Sequence, residues 1–199
     1  MRRLLFLAIA FVTLSLFALA QDAPKIEVFG GYQFLHVGSF DGEGDSAANT
    51  SGWAGSATFN VYKRIGLTTD FSGSYRSESI VNTQVSSVPA PAHIQIYTYT
   101  FGPVASLYSH GKVNLFAHAL FGDAHVRPTG CVIFSGSPDE CGSGSYNGLA
   151  MMFGGGMDVK SSDRFALRVV QFDWVRLPSQ FDGGLNGNMR ISTGFVFRF

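Results

Sequence analysis

The stretch Asn188 to Phe199 reads NMRISTGFVFRF, and its alternation decides the fold class. Met189, Ile191, Thr193, Phe195, Phe197 and Phe199 share one face of an extended strand, while Arg190, Ser192, Gly194, Val196 and Arg198 share the other. Charges face lipid only at a cost, so the aromatic face is expected to be the outer one and the arginines to point inward. A soluble barrel would need the reverse polarity, and period two alone does not separate the two.

Composition agrees with an outer wall that meets lipid. The chain has 199 residues, 14 basic against 14 acidic side chains, and only 14% charged residues. That charged share is little more than half the roughly 25% usual for soluble domains, whereas the hydrophobic share sits in the ordinary range. A disordered charged tail is excluded, as is a nucleic-acid binder carried by a basic patch. One domain is the default at this length.

Residues 1–20 open with Met1, Arg2 and Arg3, run apolar from Leu4 to Leu19, and end in Ala18-Leu19-Ala20. This predicts a secretory signal peptide over 1–20 and a mature domain over 21–199. An uncleaved anchor is the alternative, but the run is short for a span of about 20 residues. Without Arg2 and Arg3 the mature chain carries 12 basic and 14 acidic side chains, a net of −2. No later window approaches a helical span, so insertion must use strands.

Working back from the last strand, period two recurs. Trp53, Gly55, Ala57, Phe59 and Val61 oppose Ala54, Ser56, Thr58 and Asn60. Ile65 to Arg76 divides into Ile65, Leu67, Thr69, Phe71, Gly73 and Tyr75 against Gly66, Thr68, Asp70, Ser72, Ser74 and Arg76. Further strands are expected at Lys25 to Val37, Gln95 to Tyr108, Val113 to Val126, Asn147 to Val159 and Asp163 to Leu177. Tight turns fall at Lys63-Arg64, Ser109-His110-Gly111 and Lys160 to Ser162. Long connections cover Gly38 to Gly52, Ser77 to His93, Arg127 to Tyr146 and Pro178 to Gly187. The expectation is an all-β, eight-stranded antiparallel up-and-down transmembrane β-barrel with periplasmic turns and extracellular loops.

On that register Trp53, Tyr75, Tyr97 and Trp174 form an extracellular girdle, and Leu107, Phe165 and Phe199 a periplasmic one. The interior collects Glu27, Asp70, Arg76, Asp158, Arg168, Arg190 and Arg198. Arg168 and Asp173 have opposite parity, and a bulge near Val170 and Gln171 brings both inward. An eight-stranded lumen is just wide enough for its side chains, so these charges are expected to form a structural network of pairs. A gated proton or ion path is the sharper alternative.

Cys131 and Cys141 bracket VIFSGSPDE, and in an exported chain they are expected to form a disulfide closing a surface loop. That segment has no histidine, so it does not read as a zinc site.

The stretches GWAGSATFNVYKRIGLTTDFSGSY, YTYTFGPVASLYSHGKVNLFAHALFGDAHV, FGGGMDVKSSDRFALRVVQFDWV and MRISTGFVFRF together resemble the small bacterial outer-membrane β-barrel domain of the OmpA/OmpX-like eight-stranded type. The resemblance covers nearly all of the mature chain. Its most specific element is Phe195-x-Phe197-x-Phe199, which is similar to the C-terminal signal read by barrel-insertion machinery. Family membership implies the outer membrane of a Gram-negative-type bacterium as the location. The implied partners are outer-membrane lipid and lipopolysaccharide, periplasmic chaperones and the barrel-assembly machinery. Unlike full-length OmpA, the sequence carries no peptidoglycan-binding domain after Phe199, so a role as a wall tether is not expected.

Some small outer-membrane barrels are lipid A deacylases or acyltransferases with a Ser and a His on the lipid-facing wall. A His-x-Ser pair on one strand would place nucleophile and base on the same side, and this chain has none. His118 is expected to point inward beside Asn114, His110 to sit in a turn, and His36, His93 and His125 to lie near loop edges. Gly154-Gly155-Gly156 lacks the Lys-Ser/Thr and helix of a phosphate loop, and reads as close packing in the lumen. Asp41, Glu43, Asp45, Glu78, Asp139, Glu140 and Asp182 read as ordinary solvated loop charge. No catalytic, cofactor or metal site is expected. The expected role is structural, or a surface interaction with an unidentified extracellular partner. A lipid-modifying enzyme and a narrow ion channel are the alternatives.

Overall fold

Among the described residues of a computed structural model the chain forms nine strands. They are β1 (Ile26–Val37), β2 (Ala48–Tyr62), β3 (Ile65–Ile80), β4 (Ala90–His110), β5 (Val113–Val132), β6 (Glu140–Ser143), β7 (Tyr146–Lys160), β8 (Phe165–Arg176) and β9 (Asn188–Arg198). The structure describes residues 25–38, 48–62, 64–80, 90–132, 140–177 and 188–199, so the expected signal peptide lies outside the described residues. Every pairing is antiparallel, and β1 hydrogen-bonds β2 on one side and β9 on the other. The wall therefore closes through β1-β2-β3-β4-β5-β7-β8-β9, while β6 pairs with β5 alone. Closure leaves no sheet edge in the wall, which a strand-built membrane span requires. At the seam the Phe199 N–H donates to the Ile26 carbonyl at 2.9 Å.

Turns gather at one end of the cylinder, here the turn end, and the long connections at the other, the loop end. Two turns differ from expectation. The β4 strand runs on through His110, and the reversal falls on Gly111-Lys112, where Gly111 takes a φ of 58° that a side chain disfavours. The third turn lies at 161–164, because the Ser161 and Ser162 N–H groups both bond the Phe165 carbonyl, at 2.9 and 3.0 Å. Lys160 thereby belongs to β7.

At the loop end β3, β4 and β5 reach 16, 21 and 20 residues. A membrane-spanning strand needs only about 9–11. Segments expected as loops from Ser77 and from Arg127 are thus partly strand, prolonging one sector of the wall past the apolar belt.

Outside, Tyr32, Trp53, Phe59, Phe71, Phe101, Phe195 and Phe197 stand exposed around the wall, and Phe199 is 73% exposed. β9 alternates without a break, from buried Asn188 and exposed Met189 through exposed Phe197 and buried Arg198, apart from half-buried Gly194. In β8 the register slips between Arg168 and Gln171. Val169 and Val170 both point outward there, and Arg168 and Asp173 both point inward. The expected bulge is present one residue earlier, spanning that Val-Val pair.

The interior has two layers. Toward the loop end Leu35, Val37, Ile96, Leu120, Ala124, Val126, Ala150, Met152, Val175 and Leu177 form one buried apolar cluster. Toward the turn end the charged side chains Asp70, Asp158, Arg168, Asp173, Arg190 and Arg198 are buried beside a smaller apolar cluster of Phe29, Ala54, Ala166 and Val196. A narrow lumen plugged by paired charges was the expectation. The reason for the difference is that β1, β5 and β8 carry apolar residues on both faces near the loop end, so their inward chains exclude water as a core does.

Candidate functional site

The charged layer is built from β1, β3, β5, β7, β8 and β9. Arg190 on β9, 1% exposed, donates through Nη1 to Asp70 Oδ1 at 2.7 Å and through Nε to Asp173 Oδ2 at 2.8 Å. His118 Nε2 lies 2.8 Å from the other Asp173 oxygen. That contact needs a proton on Nε2, since the carboxylate can only accept. Gln171 Nε2 also donates to Asp173, at 2.8 Å. Asp173 is fully buried yet accepts from three side chains, as a buried charge must.

A second group sits nearer the turn end. Arg168 grips Asp158 through Nε at 2.8 Å and Nη2 at 3.3 Å, while its Nη1 donates to Gln171 at 2.7 Å. Its guanidinium lies between two rings, 4.4 Å from the centre of Phe29 and 4.3 Å from that of Phe116. Planarity lets an arginine bond in its plane and stack above and below it at once. Arg198 Nε approaches Glu27 Oε1 at 3.1 Å, and its Nη2 is 3.9 Å from Asp158. Gln171 joins the two groups into one network.

Of the residues expected in this network, Glu27, Asp70, Asp158, Arg168, Asp173, Arg190 and Arg198 come together. Arg76 lies elsewhere: half-exposed near the loop end, it donates to the Asn49 carbonyl at 3.3 Å. Sequence reasoning missed Gln171, the Phe29–Phe116 sandwich and the pairing of His118 with Asp173. Glycine was the signal for the last. Gly154 lies opposite His118 on one side and Asp173 on the other, so the two side chains meet above it. A Cβ there would fall 2.2 Å from Asp173 Oδ1. Gly156 stands in the same way between Phe116 and Gln171. Gly154 and Gly156 make room for the network.

Between this network and the β2–β4 wall lies a cavity of about 120 Å³, lined by Ser56, Thr68, Ser106, Asn114, Lys160 and Arg198 among others. Asp70 and Leu120 line it too, and beyond them the apolar cluster fills the cylinder.

On the outer wall near the loop end, His93 Nδ1 lies 2.8 Å from Ser77 Oγ across the β3–β4 pairing. His125 is held between Asn147 on its Nδ1 and Arg127, whose Nε donates to Nε2 at 2.6 Å. That nitrogen is occupied, so His125 is not free to act as a base. His36 pairs with Asn49 at 2.7 Å, and the His110 ring rests against Tyr108. Trp53, Tyr75 and Tyr97 cluster at one level, with Trp53 Nε1 3.4 Å from Tyr75 Oη and the two tyrosine rings edge to face. Cys141, which is disulfide-bonded, lies opposite Cys131 in the β5–β6 pairing. Phe195 and Phe197 pack around Phe165, with centroids 5.6 and 4.7 Å away.

No family model matches the chain, nor does any curated protein. Among solved structures it is similar to Ail, the attachment invasion locus protein of Yersinia pestis, in complex with the heparin analogue sucrose octasulfate. That match has 20% identity and a TM-score of 0.60, covering 87% of this chain and 97% of Ail. A second structure of Ail matches at 16% identity and a TM-score of 0.59, covering 88% and 99% of the two chains. Neisserial surface protein A matches at 11% identity and a TM-score of 0.56, covering 90% of this chain and all of that one. With its closed wall, outward aromatics and inward ion pairs, the chain has the fold of the small eight-stranded outer-membrane barrels.

Proposed function

We propose that this chain is a surface-interaction barrel of the outer membrane in a Gram-negative-type bacterium, with its turn end in the periplasm and its loop end outside the cell. The carrying observation is the division of the cylinder. Fully buried side chains fill its loop-end half, while β3, β4, β5 and β6 carry the wall past the lipid belt on the same side. A filled interior suits a scaffold, and a raised wall suits a contact surface. The raised sector presents His93 and Arg127 outward, with His125 bracing the Arg127 guanidinium, a pair suited to phosphate or sulfate groups such as those of lipopolysaccharide. Residues 1–20 serve export, Phe195, Phe197 and Phe199 the assembly machinery, and the Cys131–Cys141 bond the β5–β6 arm. The buried charges act structurally.

The test is threefold. The purified barrel in planar bilayers passes no discrete current. It releases no fatty acid from phospholipid or lipid A. Cells displaying it gain binding to a sulfated polysaccharide that is lost when Arg127 and His93 are both changed to Ala. Steady channel openings would overturn the reading. Ser77 beside His93 favours a second one, an acyl hydrolase at the outer leaflet. Among the described residues His93 has no carboxylate partner, and that reading requires fatty-acid release abolished by Ser77→Ala.

A further inference from the structure

We propose that the turn-end cavity binds a phosphate-sized oxyanion. Its volume of about 120 Å³ holds several waters and so suits an ion of one central atom and four oxygens. The charges lining it are unequal. Two of its carboxylates are already held by an arginine, Asp70 by Arg190 at 2.7 Å and Asp158 by Arg168 at 2.8 Å, while the third, Glu27, lies 3.1 Å from Arg198 Nε without a hydrogen bond. Lys160 and Arg64 also line the cavity, and neither has a carboxylate partner among the described residues. Lys160 follows Asp158 by two positions on β7, which turns it to the same inward face.

A third donor is also available. Arg198 is 4% exposed, and its Nε makes no hydrogen bond although Glu27 lies near. A buried donor left unbonded is costly, so a guest that accepts from this nitrogen removes a standing penalty. The hydroxyls of Ser56, Ser106 and Ser109 line the cavity as well and supply neutral donors to oxygens left over. The far end is shut by the Asp70–Arg190 pair and Leu120, so the ion enters and leaves by the turn end. This is a site and not a passage.

The oxyanion could be free phosphate or the headgroup phosphate of a phospholipid in the leaflet at that end, and two arms separate them. In the first, the full mature barrel in a maltoside detergent is titrated with inorganic phosphate and followed by phosphorus NMR. In the second, it is reconstituted in phospholipid nanodiscs and the headgroup resonance is read. Both are repeated with Lys160→Gln plus Arg64→Gln, changes at unpaired positions, and folding is checked by heat-modifiable gel migration. Saturable binding of free phosphate, weakened at least tenfold in the double variant, identifies the soluble ion. Headgroup broadening that the variant abolishes, without free-phosphate binding, identifies the lipid. If neither resonance responds, or wild type and variant respond alike, the proposal is overturned, and the loop-end reading stands unaffected.

Discussion

The two halves of the interior solve one packing problem with opposite chemistry. In the turn-end half, Asp158, Arg168, Asp173 and Arg190 are buried at 7% exposure or less and satisfied by one another. In the loop-end half, Leu120, Met152, Val126 and Val175 are equally buried and need no partners. The outer wall is apolar around both. Inward alternation therefore requires only filled volume and satisfied polar groups, and leaves the chemistry of the filling free. Polar filling demands matched partners and so penalises a wrong register, since every slip strands a charge. Apolar filling tolerates approximate register but keeps water out.

The sharpest way to break this contrast is to remove one ion from the polar half. Asp173→Ala deprives Arg190, His118 and Gln171 of a shared acceptor, and breaking one side of a buried pair costs about 3–5 kcal/mol. Urea unfolding of the refolded barrel in vesicles is expected to show a loss of that size. Replacing Asp70, Asp173 and Arg190 together with Leu, Leu and Met makes the upper part of the polar half resemble the other, and should recover most of the loss. A triple variant as unstable as Asp173→Ala would mean the network contributes more than mutual neutralisation. In the apolar half, Leu120→Ala removes volume and strands nothing. It is expected to cost about 2–5 kcal/mol, toward the lower end if water from the adjoining cavity fills the space.

The contrast also explains what was legible in the chain. Arg190 and Arg198 alternate with phenylalanines, so the polarity of β9 and the closed eight-stranded wall followed from period two. The opposed parities of Arg168 and Asp173 located a bulge to within one residue. The apolar half was not legible. Leu35 follows Phe34, Leu120 precedes Phe121, and Val175 follows Trp174, and where both faces are apolar alternation carries no contrast. Charge marked the inside only where the inside was charged. The meeting of His118 with Asp173 depends on three neighbouring strands, β5, β7 and β8, and no single segment contains it. β6 has four residues, too few for a periodic signal, and depends on pairing with β5.

The finest test falls on the boundary between the halves, at Gly154. Its neighbours across the sheet, His118 and Asp173, lean over it to make their 2.8 Å contact. An added Cβ would meet Asp173 Oδ1 and the Phe172 carbonyl, both at 2.2 Å. The carboxylate can swing aside only by giving up its bonds, and the carbonyl belongs to the β7–β8 ladder. Gly154→Ala is thus expected to cost about 1–3 kcal/mol, the usual penalty for overpacking. Much of that cost should vanish in a Gly154→Ala plus His118→Ala background, where the space above the strand is no longer contested. A double-mutant cycle on unfolding free energies measures this coupling. Additive losses would mean that the alanine strains the β7–β8 ladder alone, and that the glycine serves the backbone and not the network.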